Sequence, residues 1–197
     1  SVPPQAQAQT AEYEWNLNLI NAPQLWSKGY RGQGIVVANI DSGVDINHPD
    51  LASRFRGGPD DFYVFKRPAE PESTAPYDDN GHGTLTMGLM VGGDASGNPI
   101  GVAPDSQWIG AKVFHDTESE NLTFVIGDFL DALDWALDPD GDALTDDAPD
   151  VVNLSWGIPN PDVCDSTYFG AIQALKAANI AVSIAAGNYG NLGYNTS

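Results

Sequence analysis

The run Gly34-Ile-Val-Val-Ala-Asn-Ile40 constrains the fold more than any other part of the sequence, being β-branched, of strand length and apolar on both alternating faces. A strand wetted on one side alternates polar with apolar residues. One that does not alternate is covered on both sides, which is the situation of a parallel sheet. Trp108-Ile-Gly-Ala-Lys-Val-Phe114, Val151-Val-Asn-Leu-Ser155 and Ile180-Ala-Val-Ser-Ile-Ala185 share this character. Between them lie helical spacings. Leu122, Val125, Ile126, Phe129, Leu130, Leu133 and Leu137 recur at intervals of three and four, and a second helix is predicted over Tyr168–Ala178. Strands alternating with helices imply right-handed crossovers, so the fold class is α/β, a parallel β-sheet with helices on both faces. A short helix is expected over Ala22–Lys28, with Asn21 as its cap, Pro23 in its first turn and Gly29 as its stop. The Pro-, Asp- and Gly-rich stretch 47–81 reads as loop, and a helix of small residues begins near His82. Residues 1–12 have the polar composition of a linker or trimmed terminus.

Charge narrows the function classes. Eight Lys and Arg stand against 27 Asp and Glu, a net charge of −19. Nucleic-acid backbones and anionic membrane surfaces are held by basic side chains, so neither is an expected partner. No run approaches the ~20 consecutive apolar residues of a membrane helix. The first residues lack the basic and apolar stretches of a signal peptide, so the chain reads as processed. Cys164 is the only cysteine, which leaves no partner for an intramolecular disulfide. The acidic excess suits calcium binding or a salty exterior.

In open parallel sheets, reacting groups collect beyond the carboxyl ends of the strands. Asp41-Ser-Gly follows the first apolar run, Ser155-Trp-Gly the third and Gly187-Asn188 the fourth, whereas Gly81-His82-Gly83-Thr84 opens a helix. Asp41 alone reads first as a helix cap or turn residue, and His82 alone first as a turn or packed histidine. Their order is more specific. Asp41-Ser-Gly-Val-Asp45, Asp79-Asn-Gly-His-Gly-Thr84, Gly101-Val-Ala-Pro104, Asn153-Leu-Ser-Trp-Gly157 and Ala185-Ala-Gly-Asn188 follow one another along the chain. In this the sequence resembles the subtilisin family of serine proteases, and within it the bacillopeptidase F group, over about residues 13–197. The nearest local agreement lies in Pro76–Thr84 and Ala148–Gly157.

The resemblance implies a serine endopeptidase. His82 would take a proton from a serine hydroxyl and return it to the leaving amine, Asp41 would fix the imidazole tautomer, and Asn188 would donate to the oxyanion. Ser155, Trp156 and Gly157 would form an edge on which an extended peptide adds as a strand. Ala185, Ala186 and Gly187 would line the wall beside it. Glu118, Ser119 and Glu120 match the opposite rim, where their acidity would favour basic groups. Trp156 reads equally as core packing.

The family's nucleophile lies in a Gly-Thr-Ser-Met-Ala-like motif, and these 197 residues contain none. Ser42 and Ser155 match non-nucleophilic positions, and Thr196-Ser197 lacks the helix that should follow it. The expectation is therefore the N-terminal part of a peptidase domain, with a sheet incomplete at its C-terminal side. Its partner would be the remainder of the domain carrying the serine, in the same gene product or on a second chain, and without that serine the chain should not acylate. Leu85 departs from the histidine usual in the family at that position. A catalytically inactive protease-like scaffold is the alternative reading. A nucleotide-binding domain is disfavoured, since Gly29, Gly32 and Gly34 precede the first strand and cannot present phosphate to a helix N-terminus. Asp138, Asp140 and Asp142, followed by Asp146, Asp147 and Asp150, carry carboxylates that a tight loop either gathers around calcium or exposes to water. His48, His82 and His115 show no zinc spacing, and His48 reads as structural. The resemblance places the processed protein outside the cell.

Overall fold

The computed structural model describes residues 13–64, 75–116, 122–123, 126–157 and 166–188. The strands are β1 (Val36–Asp41), β2 (Phe62–Val64), β3 (Gln107–Lys112), β4 (His115–Asp116), β5 (Leu122–Thr123), β6 (Val151–Leu154) and β7 (Ala181–Ile184). The helices are α1 (Trp15–Leu19), α2 (Ala22–Trp26), α3 (Pro49–Ala52), α4 (His82–Val91), α5 (Ile126–Trp135) and α6 (Phe169–Ala177). Five strands form one sheet in the order β2-β3-β1-β6-β7, and every pairing in it is parallel. β1 is central. After it the chain moves toward β2 and β3, whereas after β6 it moves toward β7. The neighbouring carboxyl ends of β1 and β6 therefore flank a topological switch point.

The two-residue period of the strands sorts side chains onto two faces. Ala38, Ile40, Ile109, Ala111, Val152 and Leu154 join a core with Phe129 and Leu133 of α5 and Leu175 of α6. Val37 and Trp108 join Leu51 of α3 and Met87 and Val91 of α4 on the other side. Helices thus cover both faces of the inner strands; β7, whose apolar run was expected to be covered on both sides, instead lies at the sheet edge and is largely exposed, with Ile184 52% exposed. Asn39 and Asp41 share the parity of Val37, and both bond to α4 residues. Asn153 reaches the same group through Asn39.

Several expected boundaries shift. The stretch 47–81 contains α3 and β2, and β2 is too short at three residues for a periodicity to register. The helix expected from Leu122 to Leu137 is shorter. Leu122 sits in β5, which pairs antiparallel with β4, and the helix ends at Trp135. Apolar spacing alone does not separate a short strand from a helical turn, and the Asp138-Pro139 step disfavours helix just downstream. Val125 lies outside the described residues. Asn21 does not cap α2 with its side chain: its backbone is left-handed at φ 61°, and its side-chain oxygen accepts from Gln24 Nε2 at 3.2 Å.

α4 approaches β1 closely enough to require glycine. A Cβ placed on Gly83 would lie 2.0 Å from the Gly43 carbonyl oxygen and 3.1 Å from Asp41 Cβ. Gly43, with φ +107°, leaves the same lack of room beneath the Tyr77 carbonyl. Neither obstacle is a flexible side-chain end, so the backbone itself would have to move. Gly83→Ala is expected to cost at least about 2–3 kcal/mol by overpacking, read as a melting temperature lower by roughly 5–10 °C; an unchanged melting temperature would contradict this close contact.

Candidate active site

Asp41 ends β1 with its side chain 1% exposed, and His82 opens α4 with its side chain 47% exposed. Nδ1 of His82 lies 2.8 Å from Oδ1 and 3.0 Å from Oδ2 of Asp41. An ionised carboxylate only accepts, so this contact puts the ring proton on Nδ1 and leaves Nε2 as the basic nitrogen. The Ser42 N–H donates to Oδ1 at 2.7 Å, and the Thr86 hydroxyl lies 3.1 Å from Oδ2. Both carboxylate oxygens are thus held in place. A fixed carboxylate in turn fixes the ring.

A second carboxylate organises the start of α4. Asp78 Oδ1 accepts from the N–H groups of Asn80 at 3.1 Å and Gly81 at 2.9 Å, and from the Ser42 hydroxyl at 3.0 Å. Its Oδ2 accepts from the Thr84 N–H at 2.9 Å and the Thr84 hydroxyl at 2.6 Å. Free N–H groups of a first helical turn favour such an anion. Burial on its own raises the Asp78 carboxyl, but the Thr84 hydroxyl and the N–H groups of Gly81, Thr84 and Asn80 outweigh it and hold the group below its ordinary value. The third anchor is Lys112, fully buried at the end of β3. Its ammonium donates to the Ser42 carbonyl at 2.7 Å, to Asp79 Oδ1 and to the Phe114 carbonyl at 2.9 Å, and lies 5.1 Å from the centre of the Tyr77 ring.

The other predicted site residues divide. Ser155, Trp156 and Gly157 follow β6 directly. Ser155 Oγ accepts from Asn153 Nδ2 at 2.6 Å. The Trp156 ring packs 4.2 Å from Phe129 and 4.8 Å from Tyr168, measured between ring centres, which is the core-packing alternative. Ala185, Ala186, Gly187 and Asn188 follow β7 and are exposed, with Gly187 at φ +81°. Glu118, Ser119, Glu120, Cys164 and Ser197 lie outside the described residues. His48 Nδ1 accepts from the Asp50 N–H at 3.2 Å, the structural role expected of it.

For a metal, the structure gathers a different trio from the expected one. Carboxylate oxygens of Asp138, Asp140 and Asp147 lie within 4.8 Å of one another. Asp142 instead turns its Oδ1 to the Leu144 N–H at 3.1 Å. Burial first, and then the charges of Asp140 and Asp138, push the Asp147 carboxyl above its ordinary value against the Asp140 N–H and Arg56. Three carboxylates fall short of the roughly 6–8 oxygens calcium takes, so an ion here would need carbonyls and water to complete its shell.

Asp78, Lys112, Asn39 and Thr86 were not singled out from the sequence. Lys112 and Asn39 carried a signal, since each is a polar residue inside an otherwise apolar buried strand. The arrangement defines a class: an α/β protein with a carboxylate–imidazole dyad at the carboxyl edge of a parallel sheet, beside its switch point. Comparison with known proteins then gives the family. The Subtilase family (peptidase S8) matches residues 32–197, and the chain belongs to it. It is 40% identical over 190 residues to bacillopeptidase F of Bacillus subtilis (strain 168), the match covering 89% of this chain and 12% of that protein. It is 34% identical over 187 residues to subtilisin of Bacillus pumilus, covering 94% of this chain and 58% of the relative. Subtilisin E of Bacillus subtilis (strain 168) is 33% identical over 187 residues, covering 94% and 42%. The chain thus spans less than two thirds of each of these relatives.

The lowered Asp78 has a consequence for acid stability. A group held lower in the folded than in the unfolded protein contributes fully above the unfolded value of about 3.9, and its contribution is lost as pH falls through the folded value. Asp78→Asn is expected to lower stability by about 1–3 kcal/mol at neutral pH. In urea titrations this gap should narrow only below about pH 3.9; a gap that stays constant from pH 7 to pH 2 would show that the Asp78 charge does not anchor α4.

Proposed function

We propose that the protein is a serine endopeptidase in which His82 is the general base and acid, Asp41 orients it and Asn188 donates to the oxyanion. The observation that carries this reading is the contact of His82 Nδ1 with both oxygens of a buried carboxylate, at 2.8 and 3.0 Å. It leaves Nε2 to take the hydroxyl proton during attack and to deliver it to the leaving nitrogen. Imidazolium formed in that step is stabilised by Asp41, which stays ionised. Family membership supports the same chemistry.

The attacking serine is read as belonging to polypeptide outside these 197 residues. Ser42 Oγ accepts the Gly83 N–H at 2.8 Å and donates to Asp78, and Ser155 Oγ is bound to Asn153. The Ser42 hydroxyl is thus engaged in both directions and Ser155 Oγ accepts from Asn153, and no serine among the described residues hydrogen-bonds His82. In this reading peptide substrates lie along Ser155–Gly157 and Ala185–Gly187, making main-chain bonds that accept many sequences. Glu118–Glu120 favours basic groups at the opposite rim. Export from the cell belongs to the same reading, and the net charge of −19 suits it.

The test uses the full-length gene product. A fluorophosphonate probe should label one serine, and His82→Ala should lower kcat on a peptide substrate by roughly 10²–10⁴-fold with little change in melting temperature. A full-length protein that folds, leaves every serine unlabelled and cleaves no peptide would overturn the reading in favour of a scaffold.

A further inference from the structure

Asn39 is a carboxamide only 1% exposed in the central strand, between Ala38 and Ile40 along the chain. Burying an amide there is costly unless every polar atom is paired. All of them are. Its Nδ2 donates to the Gly83 carbonyl at 3.1 Å and to Thr86 Oγ1 at 3.0 Å, and its Oδ1 accepts from Asn153 Nδ2 at 2.9 Å. The two oxygen acceptors and the amide donor fix which way the carboxamide points.

That orientation determines where the Thr86 proton goes. A hydroxyl has one hydrogen, and Oγ1 of Thr86 already accepts from Asn39. Two acceptors are in reach, the Gly83 carbonyl at 3.1 Å and Asp41 Oδ2 at 3.1 Å. The carbonyl accepts from Asn39 and is the helical partner of the N–H four residues on. The carboxylate offers a charge-assisted bond and wins. Periodicity pairs the members of this square within each element, since positions 39 and 41 share a strand face and 82 and 86 share a helix face.

We propose that Thr86 is a positioning residue for Asp41, holding Oδ2 by its hydroxyl while Asn39 orients that hydroxyl and ties it through Asn153 to the Ser155 rim. This rests on the endopeptidase reading only for its effect on turnover. Valine at 86 would fill nearly the same volume between α4 and β1 but would leave the buried Asn39 Nδ2 with the Gly83 carbonyl as its remaining acceptor, so folding of the variant is checked alongside its effect on Asp41. Without the hydroxyl, Oδ2 keeps His82 as its remaining side-chain donor, the carboxylate is freer to swing, and its charge is concentrated on the imidazolium.

The test is Thr86→Val in the full-length gene product, with Thr86→Ala as a second variant and Thr86→Ser as the conservative one. In Thr86→Val, kcat should fall roughly 3–10-fold, the worth of one hydrogen bond, with KM within about 2-fold. The acid limb of the kcat profile should move to higher pH by about half a unit. Thr86→Ser should restore both. Independently of turnover, the low-field proton resonance of His82 Nδ1–H, assigned by its loss in His82→Gln, should shift in Thr86→Val and Thr86→Ala and return in Thr86→Ser. If the wild type cleaves nothing yet the resonance behaves this way, the positioning role stands and the endopeptidase reading falls. A resonance, kcat and acid limb all unmoved in folded Thr86→Val and Thr86→Ala would overturn the proposal.

Discussion

The seam between β1 and α4 is the constraint on which the rest depends. A helix normally stands off a sheet by the thickness of its side chains. Here Gly83 removes that spacer, and its Cα comes down beside Asp41 and the Gly43 carbonyl. Only at that distance does an imidazole on the first turn of α4 reach a carboxylate on the last residue of β1. The sheet supplies the rigid half of this arrangement. β1 has neighbours on both sides, and its terminal residue pairs in register with Lys112.

Around the seam, polar groups do what apolar packing cannot. Ser42 stands at the junction. Its N–H holds Asp41, its hydroxyl bridges Gly83 N–H to Asp78, and its carbonyl accepts from Lys112. Lys112 is a buried cation in a chain of net charge −19. Its desolvation is offset because all three ammonium protons are used, on Asp79 and two carbonyls. The effect is geometric. Asp79 precedes His82 by three residues, so Lys112 fastens the approach to α4 onto the end of β3, while Asp78 fastens the same approach onto Ser42.

Much of this was legible in the sequence, for reasons that can be stated. Apolar runs without alternation specify strands covered on both faces, and the switch-point rule then puts Asp41 and Ser155 at one edge. The five ordered motifs brought His82 to that edge although it lies in a helix. What was not legible depended on registry between distant elements. Asn39 reads as one polar interruption in an apolar run, and nothing local announces that Thr86, 47 residues later, will face it. Lys112 is likewise a polar interruption whose partners, Ser42, Asp79 and Phe114, are set only when the fold closes over it. In the acidic loop, alternate spacing pointed first to Asp142, but the turn through Asp142–Thr145 brings Asp147 back to Asp138 and Asp140 in its place. The helix expected from Leu122 was overextended because β5 is only two residues long, too short to show a period of its own.

The polar chain from Ser155 through Asn153, Asn39 and Thr86 to Asp41 crosses the sheet from β6 to β1 and then leaves it for α4. It therefore links the two strands whose carboxyl ends flank the switch point. A buried network of this kind favours one arrangement over its neighbours, since a shift of any member leaves a desolvated donor or acceptor unpaired. Apolar contacts in the same place would tolerate sliding, because dispersion and burial are non-directional. A dyad that must hold a hydrogen bond to within a fraction of an ångström, beside a rim proposed to carry extended peptide, is better supported by directional bonds than by contacts that hold equally well after a small displacement. The location of these polar residues follows from that difference: they occupy the strand positions beneath the dyad, whereas Ala38, Ile40, Ile109, Ala111, Val152 and Leu154 on the opposite face are apolar.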